Sequence, residues 1–477
     1  MQGKKHYQDR LFSTVNLAAM IPQSHVLVRL DRVLDLSFIY ELTKGLYCVD
    51  NGRPSIDPVL FFRMQLIGYL FGIRSDRQLC EEVHLNIAYR WFCRLNLEDE
   101  VPDHSSLTRI RDRLGVKTYQ AVFEGILGEL RRRGFLKGKR LVVDASIVAA
   151  DASMDSLVGR EDGDPQAREL KPYQERYHDF KTGKKKRKVS NQTHVSQTDP
   201  DATIVSRRSQ HSKLSYKAHY SIDGDSRFIV DCHATTGARH ECTVLPERLQ
   251  YLHDEVELPI EEVIADKGYG RGPTYRFLRE RGIRAYIPLH DEHLGEGRIS
   301  RGQFKYDRRA DRFVCPHGTF LYPYEKRERG LKRYRAVGGY CSHCPLRETR
   351  LPGRYKKRTR FVYRSPDQDE IDRIKQRQKT RYFKKKLAER RWKIEGLFGE
   401  AKERHCLRRA RYRSLVKVQI QLYLTAIVQN LKRLVSRLLD FLRHLFYLSA
   451  RFDHQTALWP PKGQARRLFV IELRICP

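Results

Sequence analysis

The sequence predicts an α/β fold: a mixed sheet flanked by helices, preceded by an all-helical segment and interrupted by an inserted subdomain. Three observations carry that prediction. Residues 25–135 space their apolar side chains in helical fashion. From Arg140 onward short β-type runs alternate with helical stretches, the order of elements that packs helices on a sheet. From about residue 368 the chain reads as helical again, first strongly basic and then apolar. At 477 residues the chain has room for several cores. The changes of pattern divide it into 1–136, a helical domain; 137–289, the first part of a sheet-based core; 290–367, an inserted Cys- and His-containing subdomain; 368–445, the closing helices of the core; and a tail, 446–477, without a readable period.

The elements follow from local signals. SIDPVLFFRMQLIGYLFG is a helix closing on Gly72, and Ser75 with Gln78 three residues later forms a capping-box pattern for the next one. VPDHSSLTRIRDRL supplies caps ahead of an arginine-rich helix whose Arg109 and Arg111 are expected to contact nucleic acid, and KTYQAVFEGILGELRRRG stops at Gly134. These helices suit either a helix-turn-helix or a plain bundle with solvated Arg faces. Strands are predicted over 140–148, 213–223 and 227–237, the last two joined by a GDS turn. A helix from Glu241 to Leu252, a strand running to Asp266, a helix near 273–281 and the short strand RAYIPL complete the series. Residues 152–212 are polar and read as a basic loop with little core of its own; GKKKRK at 183–188 suits either phosphate contact or plain solvation. No internal repeat is evident.

Composition narrows the function. Against 58 Asp and Glu stand 92 Lys and Arg, a formal net charge of +34. So broad an excess is the footprint of a polyanion binder, most often nucleic acid. No run of 18 apolar residues and no apolar signal core at MQGKKHYQDRLF are present, so no membrane role and a cytoplasmic location are expected. Ten scattered cysteines argue against a disulfide framework.

The chemistry rests on acids. RLVVDASIV delivers Asp144 and EEVIADKGYG delivers Asp266, each after an apolar β-type run; the basic helix RRWKIEGLFGEAK carries Glu395. Three carboxylates of this kind suit two Mg²⁺ or Mn²⁺ ions, which take hard oxygen ligands and act on phosphodiesters by charge neutralisation and positioning. At about 100° per residue Arg391, Glu395, Phe398 and Lys402 fall on one helical face. Lys267, directly after Asp266, is a further phosphate contact. Taken singly, each acid is more often an ordinary surface residue. Asp151, Asp199, Asp201, Asp223 and Asp231 compete for the roles but read as turn or loop acids, and His219 and His240 as structural histidines.

These stretches together resemble the DDE transposases of bacterial insertion sequences, whose catalytic core is similar to ribonuclease H. The resemblance lies in VPDHSSLTRIRDRL, LVVDASIV, SQTDPDATIVSR, VIADKGY and RRWKIEGLFGEAKERHCLRRARYRSL, over roughly residues 25–440. Arg391, Glu395 and Lys402 match the spacing of the family's Tyr-x2-Arg-x3-Glu-x6-Lys signature, whereas Ala388 stands at its Tyr position. The resemblance implies a ribonuclease H-like core, Asp144, Asp266 and Glu395 as the metal-binding triad, and an insertion between the last core strand and the Glu helix. It implies a bacterial, nucleoid-associated protein that, as a dimer or higher oligomer, cleaves the terminal inverted repeats of its element and transfers strands into target DNA. A repressor that has lost catalysis and a nuclease of the same fold are the alternatives. In the insertion, Cys315 and His317 with Cys341 and Cys344 have the composition of a zinc knuckle, His343 being a spare ligand. The family often has another Cys where this chain has Thr349.

Overall fold

The computed structural model describes residues 15–48, 55–161, 164–169, 189–207, 210–290, 299, 301–326, 330–341, 344–346 and 361–456. The N-terminal part is helical. The helix Pro58–Leu70 starts where Asp57 accepts from the Val59 and Leu60 amides and Pro58 takes the first turn. Nine of its side chains are buried, so it is a core helix without a polar face. Ser75 caps Asp76–Leu85 by accepting from Gln78 N at 3.1 Å, but the Gln78 side chain turns to Glu82 and leaves the box half made. His104–Arg132 runs 29 residues with a kink at Gly115, whose φ of 63° only glycine adopts readily.

Arg111 is not a surface cation. Its side chain is 1% exposed; it donates to Asp76 at 2.8 Å and stacks on the Tyr412 ring. An arginine on the inner face of a packed helix has to be paired, and this one joins the N-terminal helices to the segment before the last helix. The same seam holds His405 against the Tyr69 carbonyl and Cys406 against the Gly72 carbonyl.

The central sheet is built from β1 (Arg140–Ala149), β5 (Thr203–Arg207), β6 (Gln210–Asp223), β7 (Ile229–Thr236), β8 (Glu262–Ile264) and β9 (Arg284–Tyr286). Its order is β5-β6-β1-β8-β9, with β7 also paired to the long β6. β6 is antiparallel to β1, β5 and β7; β8 and β9 run parallel to β1 and to each other. The sheet is therefore mixed, as predicted, and Val263, Ile264 and Ala265 are fully buried, as a parallel strand covered on both faces requires. The helices Glu241–Asp254 and Gly272–Glu280 complete the predicted series. Backbone groups of β7 are satisfied by side chains from the last helix: Gln419 bonds Ala234 N and Cys232 O, and Asn430 bonds both polar groups of Ile229. Those buried amides act in place of a neighbouring strand.

Residues 152–212 are more than a loop. β2 (Leu157–Glu161), β3 (Asp164–Glu169) and β4 (His194–Ser196) form a small sheet of their own, and β5 joins the main one. These strands are short and polar, so composition hid them. GKKKRK lies outside the described residues. Residues 305–364 carry a separate antiparallel sheet in sequential order, β10 (Lys305–Asp307), β11 (Arg312–Val314), β12 (Phe320–Lys326), β13 (Lys332–Ala336) and β14 (Phe361–Arg364). One face packs on a core of Phe304, Phe313, Leu321, Tyr334 and Val362. Helices follow at Gln368–Arg377, Arg381–Arg390 and Gly396–Arg404, and the last, Leu415–Thr456, continues ten residues past 446, where the sequence lost its period. Residues 457–477 lie outside the described residues.

Arg111→Ala is expected to lower stability by about 3 kcal/mol or more, because it strands Asp76 and empties a packed site. Arg109→Ala, at an exposed position, is expected to change it by less than about 0.5 kcal/mol. Urea unfolding of the two variants checks the difference.

Candidate functional site

Strand register brings the two aspartates together. β1 and β8 pair in parallel, with Val142 opposite Ile264. Asp144 and Asp266 each lie two residues beyond that pair, so they emerge side by side at the same level of adjacent strands. Asp144 faces Tyr220 across the β1–β6 ladder. Asp266 leaves the sheet as β8 ends and accepts from the Gly268 amide at 2.9 Å, capping the turn Lys267–Tyr269. The two carboxylates repel each other, and each also acts on the buried Tyr269 hydroxyl.

Asp144 already has a cationic partner. Arg390, at the end of the helix Arg381–Arg390, donates to Asp144 Oδ2 at 2.6 Å, with both side chains largely buried. Burial nevertheless wins: it pushes the Asp144 carboxyl up to about 6, against the pull of Arg390 and of the Ala145 amide, and Asp266 adds to the rise. A partly desolvated carboxylate beside a second one is an arrangement that structural ion pairs seldom need and functional sites often have.

A third acid stands next to Asp266. A Cβ placed on Gly268 would collide with the Glu241 carboxylate and meet Asp266 Oδ1 at 3.0 Å, so the glycine makes room for both acids. Glu241 begins its helix and pairs with Lys217 at 3.2 Å. Behind this cluster Tyr269 and His219 are buried; burial, with His233 second, pushes His219 down to about 3, so it is a neutral hydrogen-bonding group held by Thr235.

Glu395 ends a π turn, Arg391–Glu395, that packs against β1 and leads into Gly396–Arg404. Because the π turn holds more residues than an α turn, the single-face wheel fails. Phe398 is buried and stacked on Tyr220, whereas Arg391 and Glu395 are exposed and Lys402 is half-buried. The cation delivered to Asp144 is Arg390, not Arg391. The competing acids are otherwise engaged: Asp231 with Arg248, Asp223 with Gly138 and Ser226, Asp199 with Tyr216, Asp151 with Arg409. Sequence reasoning missed Arg390 and Glu241. Neither had a signal of its own, since the π turn and the space over Gly268 exist only once the chain is folded.

In the insertion, Cys315, His317, Cys341 and Cys344 line one cavity of about 30 Å³. The Thr319 amide donates to Cys315 Sγ at 3.3 Å. Even so, among the described residues no three His, Cys, Asp or Glu side chains stand in a geometry that would hold a metal, here or at the aspartates. His343 lies outside the described residues. Lys267 and Arg109 are exposed. No helix among the described residues is long and apolar enough to cross a membrane.

Two family models match the chain: a transposase DDE domain over residues 192–431 and a transposase domain over residues 15–113. No curated protein matches it in sequence. Among solved structures it is similar to a piggyBac transposase synaptic complex with hairpin DNA, at 10% identity and a TM-score of 0.34, covering 95% of this chain and 91% of that one. It is also similar to a Mos1 transposase paired-end complex with the left transposon end, at 12% identity and a TM-score of 0.16, covering 52% and 65%.

Proposed function

The chain belongs to the transposase DDE domain family, an enzyme of DNA transposition that cleaves DNA and transfers strands, and from that premise we propose that Asp144, Asp266 and Glu395 are its catalytic acids. The observation that carries this reading is the β1–β8 register, which sets Asp144 beside Asp266 in a half-buried carboxylate pair. A sheet with three antiparallel strands, β7, β6 and β1, followed by two parallel ones, β8 and β9, supports a ribonuclease H-like core. Carboxylate oxygens are the donor type that hard divalent cations take, and Asp144 already accepts a cationic partner, Arg390. Two Mg²⁺ or Mn²⁺ ions, when bound, supply charge neutralisation at phosphorus and an activated oxygen.

The chain's own residues do the rest. Asp144 and Asp266 would hold the metal, and Arg390, which pairs with Asp144 at 2.6 Å and lies five residues before Glu395, would then be placed to meet a strand phosphate. Glu395 sits on the exposed side of a π turn that packs against β1, the strand that carries Asp144. Arg391, Lys402, Lys267 and Arg109 hold DNA phosphates, and the N-terminal helices hold the terminal inverted repeats. Arg111 plays no part in that contact, for its charge is spent inside the fold. The seam around Arg111, His405 and Cys406 links the end-binding helices to the Glu395 helix, so that binding and chemistry are coupled. Two element ends have to be brought together, which calls for a dimer or a higher oligomer acting on element ends and target DNA. The domain limits 1–136, 137–289, 290–367, 368–445 and 446–477 serve this division of labour.

Cleavage and joining of element-end DNA in Mg²⁺ test the assignment: Asp144→Asn, Asp266→Asn and Glu395→Gln are each expected to lose at least about a thousandfold in rate while still binding DNA. A variant that cleaves like wild type removes its residue from the triad. The shared cavity of Cys315, His317, Cys341 and Cys344 supports a zinc site in the insertion. Metal analysis is expected to find about one zinc per chain, falling on Cys341→Ser; a metal-free wild type ends that reading.

A further inference from the structure

The insertion carries a second feature, on the face turned away from its core. Side chains alternate along a strand, so the burial of Leu321 leaves Phe320 and Tyr322 of β12 on the opposite face, and Tyr324, at the β-bulge between Pro323 and Glu325, joins them there under Arg335. They are 39%, 42% and 49% exposed, a row of three rings where an outer face ordinarily carries polar residues. Guanidinium groups are laid among them. Arg312 lies 3.8 Å from the Phe320 centroid, Arg335 lies 3.7 Å from that of Tyr324, and Arg333 lies 3.5 Å from that of Phe361 on β14. On β13 the alternation repeats, with Tyr334 and Ala336 inward and Arg333 and Arg335 outward. The face therefore interleaves flat aromatic surface with guanidinium groups, of which Arg312 also pairs with Asp307 at 3.2 Å and Arg333 with Glu325 at 3.0 Å.

The row opens at one end into a cleft of about 740 Å³ lined by His317, Phe320, Tyr322 and Tyr340. Tyr340 is 66% exposed. Gly338 and Gly339, both at positive φ, turn the chain before it, and a Cβ on Gly338 would press on the Tyr340 ring at 3.1 Å. Those glycines give the ring its place in the cleft wall.

We propose that this sheet face and cleft bind single-stranded DNA, its unpaired bases stacking on Phe320, Tyr322, Tyr324 and Tyr340 and its phosphates meeting Arg312, Arg333 and Arg335. The inference deepens the transposition reading and rests on it for the choice of DNA. Stacking platforms interleaved with cations are how proteins hold unpaired strands, because every base offers a flat face and every linkage a negative charge. A duplex keeps its bases stacked on one another and offers these rings nothing. A reaction that cleaves element ends exposes strands of the kind this face accepts.

The test uses the full chain without divalent metal and a fluorescent oligothymidine of about twelve nucleotides, beside a duplex of equal length and the matching RNA. Tyr322→Thr with Tyr324→Thr, residues suited to a strand face, is expected to weaken single-strand binding by about a hundredfold, roughly tenfold per ring, and duplex binding by less than about twofold. Tyr322→Phe with Tyr324→Phe is expected to bind as wild type does, because the rings remain. Melting curves report folding, and Tyr324→Thr alone, expected to cost about tenfold, serves should the pair not fold. Single-strand binding unchanged in the threonine variants, equal losses on duplex, or tighter binding of RNA overturns the proposal. Failure of Mg²⁺-dependent cleavage with single-strand binding intact counts against the transposition reading and leaves this face standing.

Discussion

The parallel pairing of β1 with β8 is the constraint on which the site depends. Once Val142 lies opposite Ile264, Asp144 and Asp266 follow two residues on from the same level of adjacent strands, Asp266 being held there by the Gly268 amide. A slip of one residue would turn Asp144 to the other face of the sheet. The register is itself held from several sides. β6 pairs with nearly the whole of β1, burying Tyr216 and Tyr220 behind it. Glu262, at the start of β8, takes Arg140, Arg284 and the buried Lys386, which ties the strand to its neighbours and to the helix that presents Arg390. At the far end Ala149 exchanges backbone hydrogen bonds with Arg408 and Ala410, so the segment following the Glu395 helix is stitched to the same strand.

The price of this arrangement falls on Asp144. A carboxyl raised to about 6 favours the fold below the ordinary carboxylate range, and that contribution is lost as pH rises through about 6. At neutral pH the ionised group is thus a net cost, on the order of 3 kcal/mol. Arg390 reduces the cost without removing it, since a single guanidinium does not replace the water that burial takes away. A stabilising pair would have been placed at the surface or made apolar. The geometry instead leaves a partly satisfied anion beside a second anion, which draws in cations.

Much of this was legible in the sequence, and what was not has physical reasons. The strands at 140–149, 210–223, 229–236 and 262–264 were readable because buried strands are written in apolar, β-branched runs. Asp144 and Asp266 stood out as acids ending such runs. The small sheet within 152–212 was hidden, since short polar strands carry little hydrophobic pattern. Arg111 misled because an arginine inside a basic stretch looks solvated, and only the packing of His104–Arg132 on Asp76 and Tyr412 shows otherwise. Helical periodicity put Arg391, Glu395, Phe398 and Lys402 on one face; with a π turn in between, Phe398 is buried on Tyr220 while Arg391 and Glu395 stay exposed, and Arg390 pairs with Asp144. Glu241 had no local signal at all, as its place beside Asp266 is set by the absence of a side chain at Gly268.

We propose that Asp144 would seat a divalent cation where it takes Arg390 as its partner. Calorimetric titration of DNA-free protein with Mn²⁺, comparing wild type with Arg390→Gln and Asp144→Asn, tests it most directly. The account predicts binding about tenfold tighter in Arg390→Gln, where nothing has to be displaced, and at least about tenfold weaker in Asp144→Asn. Unchanged or weaker binding in Arg390→Gln, or undiminished binding in Asp144→Asn, would contradict it.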